Sequence, residues 1–270
     1  REALAARQRG SQAGTVAYLF GGCVDVGGQR AVAEHVAADA QRDQQRHAVL
    51  QQGAQGARQA RDLDLGDQRT GELALFGDPN QGRPAIGYND AKVDRQGRYW
   101  VGTLDAGEKL PRGIFYCARS AGDWRIGDSG FVVSNGPTFS PKGDRLYFSD
   151  SMGGRILAYA LDPATGKLGE AEEFHRFAPE DGFPDGLTVD SDGQIWCALY
   201  GGGKVVRFGA DGKLQEELAL PVPNVTSCCL GGRDLRTLYV TTGHTADKPA
   251  QDLGGALFAR EVVTPGLPEP

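Results

Sequence analysis

Three polar residues with oxygen-bearing side chains stand at the same distance from a turn glycine in three separate parts of the sequence. Each lies eight residues before its glycine, and the pairs are Asn89 with Gly97, Asn135 with Gly143, and Asp185 with Gly193. Amide and carboxylate oxygens are ligands of Ca²⁺, Mg²⁺ and Mn²⁺ and, with carboxylate help, of Zn²⁺. The alternative for each residue alone is a loop cap, in which the side chain bonds nearby backbone. The shared spacing favours one common site.

Other catalytic patterns are absent from the sequence. The four histidines are scattered, without a His-x-His or HExxH pair, so a histidine-based zinc site is not expected. The sequence has neither a GxSxG nucleophile motif nor a glycine-rich phosphate loop. The five cysteines are an odd number without metal-type spacing, and Cys228 and Cys229 are adjacent. We therefore expect free, structural thiols in a reducing cytoplasm.

Composition and charge limit the classes of partner. The net charge of −6 is spread along the chain, which argues against nucleic acid or an anionic membrane as a partner. No apolar run approaches 18 residues, and the first residues lack the pattern of a signal peptide.

A repeated phrase indicates the elements that position the three polar residues. Four phrases of alternating apolar and polar residues surround aromatic residues spaced by 47, 49 and 43 positions, namely Trp100, Tyr147, Trp196 and Tyr239. Short strands recurring every 40–50 residues are typical of β-propeller blades. A β-sandwich with accidental similarity is the alternative fold. In a propeller, rotation about a central axis would bring Asn89, Asn135 and Asp185 into a ring at one mouth of the channel.

The first 70 residues have a different composition from the rest of the chain. They contain no proline and no lysine and are rich in Gln, Ala and Arg, whereas all 14 prolines lie later. We divide the chain into residues 1–70, an atypical segment, and residues 71–270, a β-propeller domain. Helix propensity is high between Ala31 and Arg61, but the apolar spacing marks no face for burial. We predict partial helix or disorder here. Translation in a wrong reading frame is one hypothesis for this segment, and a genuine helical extension is the alternative.

The four phrases resemble the regucalcin (senescence marker protein)/gluconolactonase family. The resembling phrases are YNDAKVDRQGRYWVGTLD, SNGPTFSPKGDRLYFSDS, FPDGLTVDSDGQIWCALYGGGKVVRF and PVPNVTSCCLGG with LYVTT, and the match runs from about Ile86 to the end. The resemblance implies an all-β, six-bladed propeller, incomplete here at its N-terminal side. It also implies one divalent cation (Ca, Zn, Mg or Mn) at the channel mouth and hydrolysis of sugar lactones.

The same resemblance assigns roles to the three polar residues. Asn135 and Asp185 correspond to metal ligands, Asp185 also corresponds to the catalytic base, and Asn89 corresponds to a substrate-binding residue. The chain departs from the family in two places. It has no GEGP-like motif with a glutamate ligand, since Glu72 lacks the right neighbours, and Gly87 stands where the family commonly has arginine.

Two other functions use the same fold. One is a calcium-binding or scaffold propeller without turnover, and the other is an inactive fragment that lacks the N-terminal metal ligand. The fold itself does not choose among these functions. The ring of polar side chains favours a site for a small molecule, a sugar lactone.

Overall fold

A computed structural model describes residues 17–19, 63–66, 73–81, 83, 85–244, 253–268 and 270. Three short strands precede the repeated phrases: β1 (Ala17–Leu19), β2 (Leu63–Gly66) and β3 (Leu73–Gly77). Strands β2 and β3 form a two-stranded antiparallel sheet. The predicted helix between residues 31 and 61 lies outside the described residues.

Each repeated phrase forms the start of a four-stranded sheet. Within each of the first three sheets, the strands are antiparallel and follow one another in sequence order. The first blade contains β4 (Ile86–Val93), β5 (Tyr99–Asp105), β6 (Gly113–Ala118) and β7 (Trp124–Phe131). The second contains β8 (Ser134–Phe139), β9 (Arg145–Asp150), β10 (Arg155–Leu161) and β11 (Leu168–Arg176). The third contains β12 (Phe183–Val189), β13 (Ile195–Tyr200), β14 (Lys204–Phe208) and β15 (Leu214–Ala219).

The fourth blade combines the two ends of the described chain. It contains β16 (Val225–Gly231), β17 (Thr237–Thr242) and β18 (Leu257–Glu261), and β1 completes it by pairing parallel to β18. The arrangement is all-β, with one short 3-10 helix, Pro179–Asp181, among the described residues. No helix in the described ranges is both long and apolar enough to span a membrane.

The structure corrects the expected number of blades for the described residues. Six blades were expected, and the described ranges form four, because the repeated phrase that produces a blade occurs four times and the atypical segment lacks it. Strands β2 and β3 are too few for a further complete blade.

Aspartate, glycine and tryptophan recur in the phrases because a buried aspartate accepts hydrogen bonds both from a tight turn and from a tryptophan. In the third blade, the buried Asp190 carboxylate accepts bonds from the backbone N–H groups of Asp192 and Gln194 at 3.1 and 3.0 Å. It also accepts the indole N–H of Trp196 at 3.1 Å and the Arg207 guanidinium at 2.7 Å. Asp94 binds the backbone and Trp100 in the same way in the first blade. Each aspartate therefore ties its tight turn to the apolar core between blades.

Candidate functional site

The first strands of the four blades lie at the centre and share an irregularity at one position. Strand β8 contacts both β4 and β12, and β12 contacts β16. Each of these strands shifts its register against its neighbour within a few residues, between 88 and 91, 135 and 138, 184 and 187, and 225 and 227. Bulges of this kind redirect a side chain and are frequent beside functional sites. The bulges therefore lie at equivalent heights along these central strands, and we call this height the level of the site.

The strand register places the predicted residues at equivalent positions. Trp100 pairs with Lys92, Tyr147 with Thr138, and Trp196 with Thr188. The residues three positions before these partners are Asn89, Asn135 and Asp185, all of them half-buried. The fourth blade has Thr226 at this position, because Tyr239 pairs with Cys229. The spacing to a turn glycine does not single out Thr226, because the turn of that phrase is irregular.

Asn89 and Asn135 are in direct contact across the boundary between the first two blades. The Asn89 amide nitrogen donates to the Asn135 side-chain oxygen at 2.7 Å and to the Ser134 carbonyl at 2.8 Å. Both N–H groups of Asn89 are thereby used, so its side-chain oxygen is the atom it can offer to a ligand. The Asn135 amide nitrogen donates to the Ser151 hydroxyl at 3.0 Å.

Asp185 is brought to the same level by close packing of backbone. Gly136, with φ of 40°, packs so closely that an added Cβ atom would lie 2.7 Å from the Asp185 carbonyl oxygen and 2.5 Å from the Leu187 nitrogen. The Ser149 hydroxyl donates to the Asp185 carbonyl at 2.8 Å. The segment carrying Asn135 and the segment carrying Asp185 are therefore in van der Waals contact.

Asp90 is a further acidic residue that the repeat analysis did not select. Its carboxylate accepts the backbone N–H groups of Gly136 and Ala91, each at 2.8 Å, and so joins the first blade to the second. Burial raises the pKa of Asp90, although these two bonds and the charge of Lys92 act in the opposite direction. The sequence signal for Asp90 is its place beside Asn89 in the ND pair.

The carboxyl groups of Asp90 and Asp185 together favour a nearby cation. Burial raises the pKa of Asp185 well above its ordinary value, and the negative charge of Asp90 raises it further, against a bond from the Gly186 N–H. A divalent cation would offset this repulsion, and the carboxylate of Asp185 with the amide oxygen of Asn135 is a donor set suited to hard ions. The described residues contain no group of three or more His, Cys, Asp or Glu side chains arranged to hold a metal.

Three of the described cysteines are buried free thiols. Cys197 and Cys228 are free and buried, and burial raises the pKa of both. Cys117 is also free and buried, with its pKa raised to about 12. These thiols are therefore protonated at neutral pH, as expected of structural cysteines.

Comparison with known proteins identifies a family and several relatives. A family model described as "SMP-30/Gluconolactonase/LRE-like region" matches residues 26–244. The putative sugar lactone lactonase YvrE of Bacillus subtilis is 32% identical over 73% of this chain and 70% of its own length. The pentonolactonase XacC of Haloferax volcanii is 34% identical over 67% of this chain and 65% of its own length. The chain thus spans about two thirds of the length of these curated relatives.

A solved structure shares the fold over most of the chain. The calcium-binding protein regucalcin from Agrobacterium tumefaciens superposes with a TM-score of 0.72 at 28% identity, covering 78% of this chain and 72% of that protein.

Proposed function

Because this chain belongs to the SMP-30/Gluconolactonase/LRE-like family, we propose that it hydrolyses sugar lactones with the help of one divalent cation. Two relatives are named as a putative sugar lactone lactonase and a pentonolactonase, and a structural neighbour is named as calcium-binding. The chain's own contribution to the proposal is the clustering of Asn89, Asn135 and Asp185. The observation that supports it is the 2.7 Å bond between Asn89 and Asn135, together with the close packing of Gly136 on the backbone of Asp185 in the next blade.

Asn135 and Asp185 are the residues we assign to the cation. When bound, such a cation polarises a carbonyl oxygen and lowers the pKa of water. Asp185 contributes the negative charge, and Asn135 contributes an oxygen whose orientation is held by hydrogen bonds on both sides of the amide. The charge of Asp90 nearby adds to the attraction for a cation.

Asp185 is also the general base in this proposal. Its carboxylate accepts a proton from water as the water oxygen attacks the lactone carbonyl, a role that contributes about 10²–10⁴-fold to rate. The ring C–O bond then breaks, and the proton held by Asp185 is available to the ring oxygen that leaves. One lactone and one water become one hydroxy acid.

Asn89 orients the substrate through its side-chain oxygen. Since both N–H groups of Asn89 are engaged, this oxygen is left to accept a hydrogen bond from a sugar hydroxyl. The preference would then be for lactones that carry a hydroxyl near the ring carbonyl.

The test is turnover of a panel of five- and six-membered aldonolactones, followed by acid release. We expect hydrolysis that EDTA abolishes and that Ca²⁺, Mg²⁺, Mn²⁺ or Zn²⁺ restores, and we expect Asp185→Asn to lose it. Asp192→Asn is the matched control, because Asp192 is an exposed carboxylate in the same blade. Turnover that is unaffected by EDTA and by Asp185→Asn would overturn the proposal. Cation binding without turnover would support the calcium-binding or scaffold alternative instead.

The family match begins at residue 26, inside the atypical segment, which supports a family origin for at least part of it. The wrong-frame hypothesis for residues 1–70 stays a prediction, and translation of the coding DNA in all six frames tests it.

A cytoplasmic location is proposed from the free thiols Cys117, Cys197, Cys228 and Cys229.

A further inference from the structure

A short series of hydrogen bonds crosses three blades at the level of the site. The Asn89 amide nitrogen donates to the Ser134 carbonyl and to the Asn135 side-chain oxygen. The Asn135 amide nitrogen donates to the Ser151 hydroxyl at 3.0 Å. The Ser151 hydroxyl donates in turn to the Pro184 carbonyl at 2.6 Å. We call these bonds the amide relay.

The direction of every bond in the amide relay follows from its two ends. A backbone carbonyl only accepts, so the group of Asn89 that faces the Ser134 carbonyl must be its NH₂. That NH₂ also faces Asn135, so the Asn135 atom there must be its oxygen. At the other end, the Ser151 hydroxyl spends its single hydrogen on the Pro184 carbonyl and can then only accept from Asn135. Both ends of the relay therefore require the same orientation of the Asn135 amide.

We propose that Ser151 is a positioning residue that directs the Asn135 oxygen toward the cation. This inference rests on the proposed function, because Asn135 is there assigned as a ligand. Asn89 occupies one lone pair of the Asn135 oxygen, and the second lone pair remains for the cation. Without the Ser151 hydroxyl, the Asn135 NH₂ loses its acceptor and the amide is held from one side. Groups that orient a metal ligand typically change metal affinity by about 10–100-fold.

A neighbouring serine offers a matched control. Ser149 and Ser151 are both buried and lie two residues apart, and each donates its hydroxyl to a backbone carbonyl of β12. Ser149 donates to the Asp185 carbonyl at 2.8 Å, and its hydroxyl makes no bond to Asn135 among the described contacts. Replacing either serine by alanine removes one bond to the same strand. Only the Ser151 change removes the acceptor of the Asn135 amide.

The first measurement is calorimetric titration of the full chain with CaCl₂ and with MnCl₂. We expect Ser151→Ala to weaken cation binding about tenfold, at the lower end of the range for such groups. Ser149→Ala should change the dissociation constant by less than about twofold, while both variants lower the melting temperature by similar amounts. Ser151→Thr keeps the hydroxyl and should bind as the wild type does. Equal loss of affinity in the two alanine variants, or none in Ser151→Ala, would overturn the proposal.

The second measurement needs no cation. The side-chain amide of Asn135, assigned in a ¹H–¹⁵N spectrum by its disappearance in Asn135→Asp, should shift in Ser151→Ala and stay in place in Ser149→Ala. If the wild type binds no cation, the proposed function is wrong, and this amide signal alone decides whether Ser151 holds Asn135. If Ser151→Ala does not fold, the comparison is made with Ser151→Cys, whose thiol is a weaker acceptor. An unshifted Asn135 signal in the folded variant refutes the positioning role.

Discussion

Replacing Gly136 by alanine should damage both the stability and the site of this protein. The backbone of Gly136 has φ of 40°, and a Cβ atom there would lie 2.5 Å from the Leu187 nitrogen and 2.7 Å from the Asp185 carbonyl oxygen. Real Cβ atoms do not approach backbone so closely, so strand β12 would have to move away from β8. Because the two nearest atoms belong to the backbone, a change of the Leu187 side chain, whose Cγ lies at 2.9 Å, would not relieve the clash.

The expected loss can be built from two physical costs. A non-glycine residue in the left-handed region costs about 1–2 kcal/mol. Forcing an extra carbon into a packed interior costs a further ~1–3 kcal/mol. Gly136→Ala should therefore lower the free energy of unfolding by about 2–5 kcal/mol, a large part of the stability of an ordinary domain.

Gly97→Ala isolates the first of these costs. Gly97 has φ of 78°, but no atom lies within 4 Å of its Cβ position. This variant should lose about 1–2 kcal/mol and keep its cation affinity, because Gly97 lies at the far end of β4 from Asn89. Urea unfolding followed by tryptophan fluorescence measures both variants. Equal destabilisation by Gly136→Ala and Gly97→Ala would refute the close-packing argument, since it would mean that β12 yields without cost.

Three further predictions concern the carboxylates. Asp185→Ala should weaken Ca²⁺ binding by well over tenfold, and by more than Asn135→Ala does. The reason is that the first change removes a negative charge, whereas the second removes only the dipole of an amide. Equal effects of the two variants in titration calorimetry would contradict the ligand assignment. In EDTA, Asp185→Asn should raise the melting temperature at neutral pH. The reason is that burial raises the pKa of Asp185 above its ordinary 3.8, so ionisation of this carboxyl opposes folding as pH rises and costs nothing at low pH. The gain in melting temperature should therefore vanish toward about pH 4. A gain that is independent of pH would refute this prediction. Asp190→Ala should lower the free energy of unfolding by about 3–5 kcal/mol, because it removes the carboxylate partner of the partly buried Arg207. The control Asp192→Ala should change it by no more than about 0.5 kcal/mol. Similar values for both variants would argue against a stabilising role of the Asp190 hydrogen bonds.

Much of the fold was predictable because a propeller repeats one local pattern. Alternating residues, a turn glycine and an aromatic recur in each phrase, and each of these patterns produced a strand pair where it was expected. The number of blades was not predictable, because residues 1–70 lack the phrase and the described residues form four four-stranded sheets. The convergence of Asn89 and Asn135 was inferred from their equal distance to a turn glycine, and their 2.7 Å contact agrees with it.

Asp90 and Ser151 show what the sequence could not reveal. Asp90 bonds a residue 46 positions away, and Ser151 bonds residues 16 and 33 positions away, so no local spacing signals either contact. The bulge in β4 also decides which of the neighbours Asn89 and Asp90 meets the Asn135 side chain and which meets the Gly136 backbone.

The strands, the turns and the equivalence of three polar positions follow from local sequence, because they depend on side-chain alternation and on glycine within a few residues. How those positions interact depends on the folded arrangement of the blades. The amide orientation of Asn135 depends on Asn89 of the first blade. The raised pKa of Asp185 depends on burial and on the charge of Asp90, also of the first blade, and such contacts exist only after the central strands have packed together.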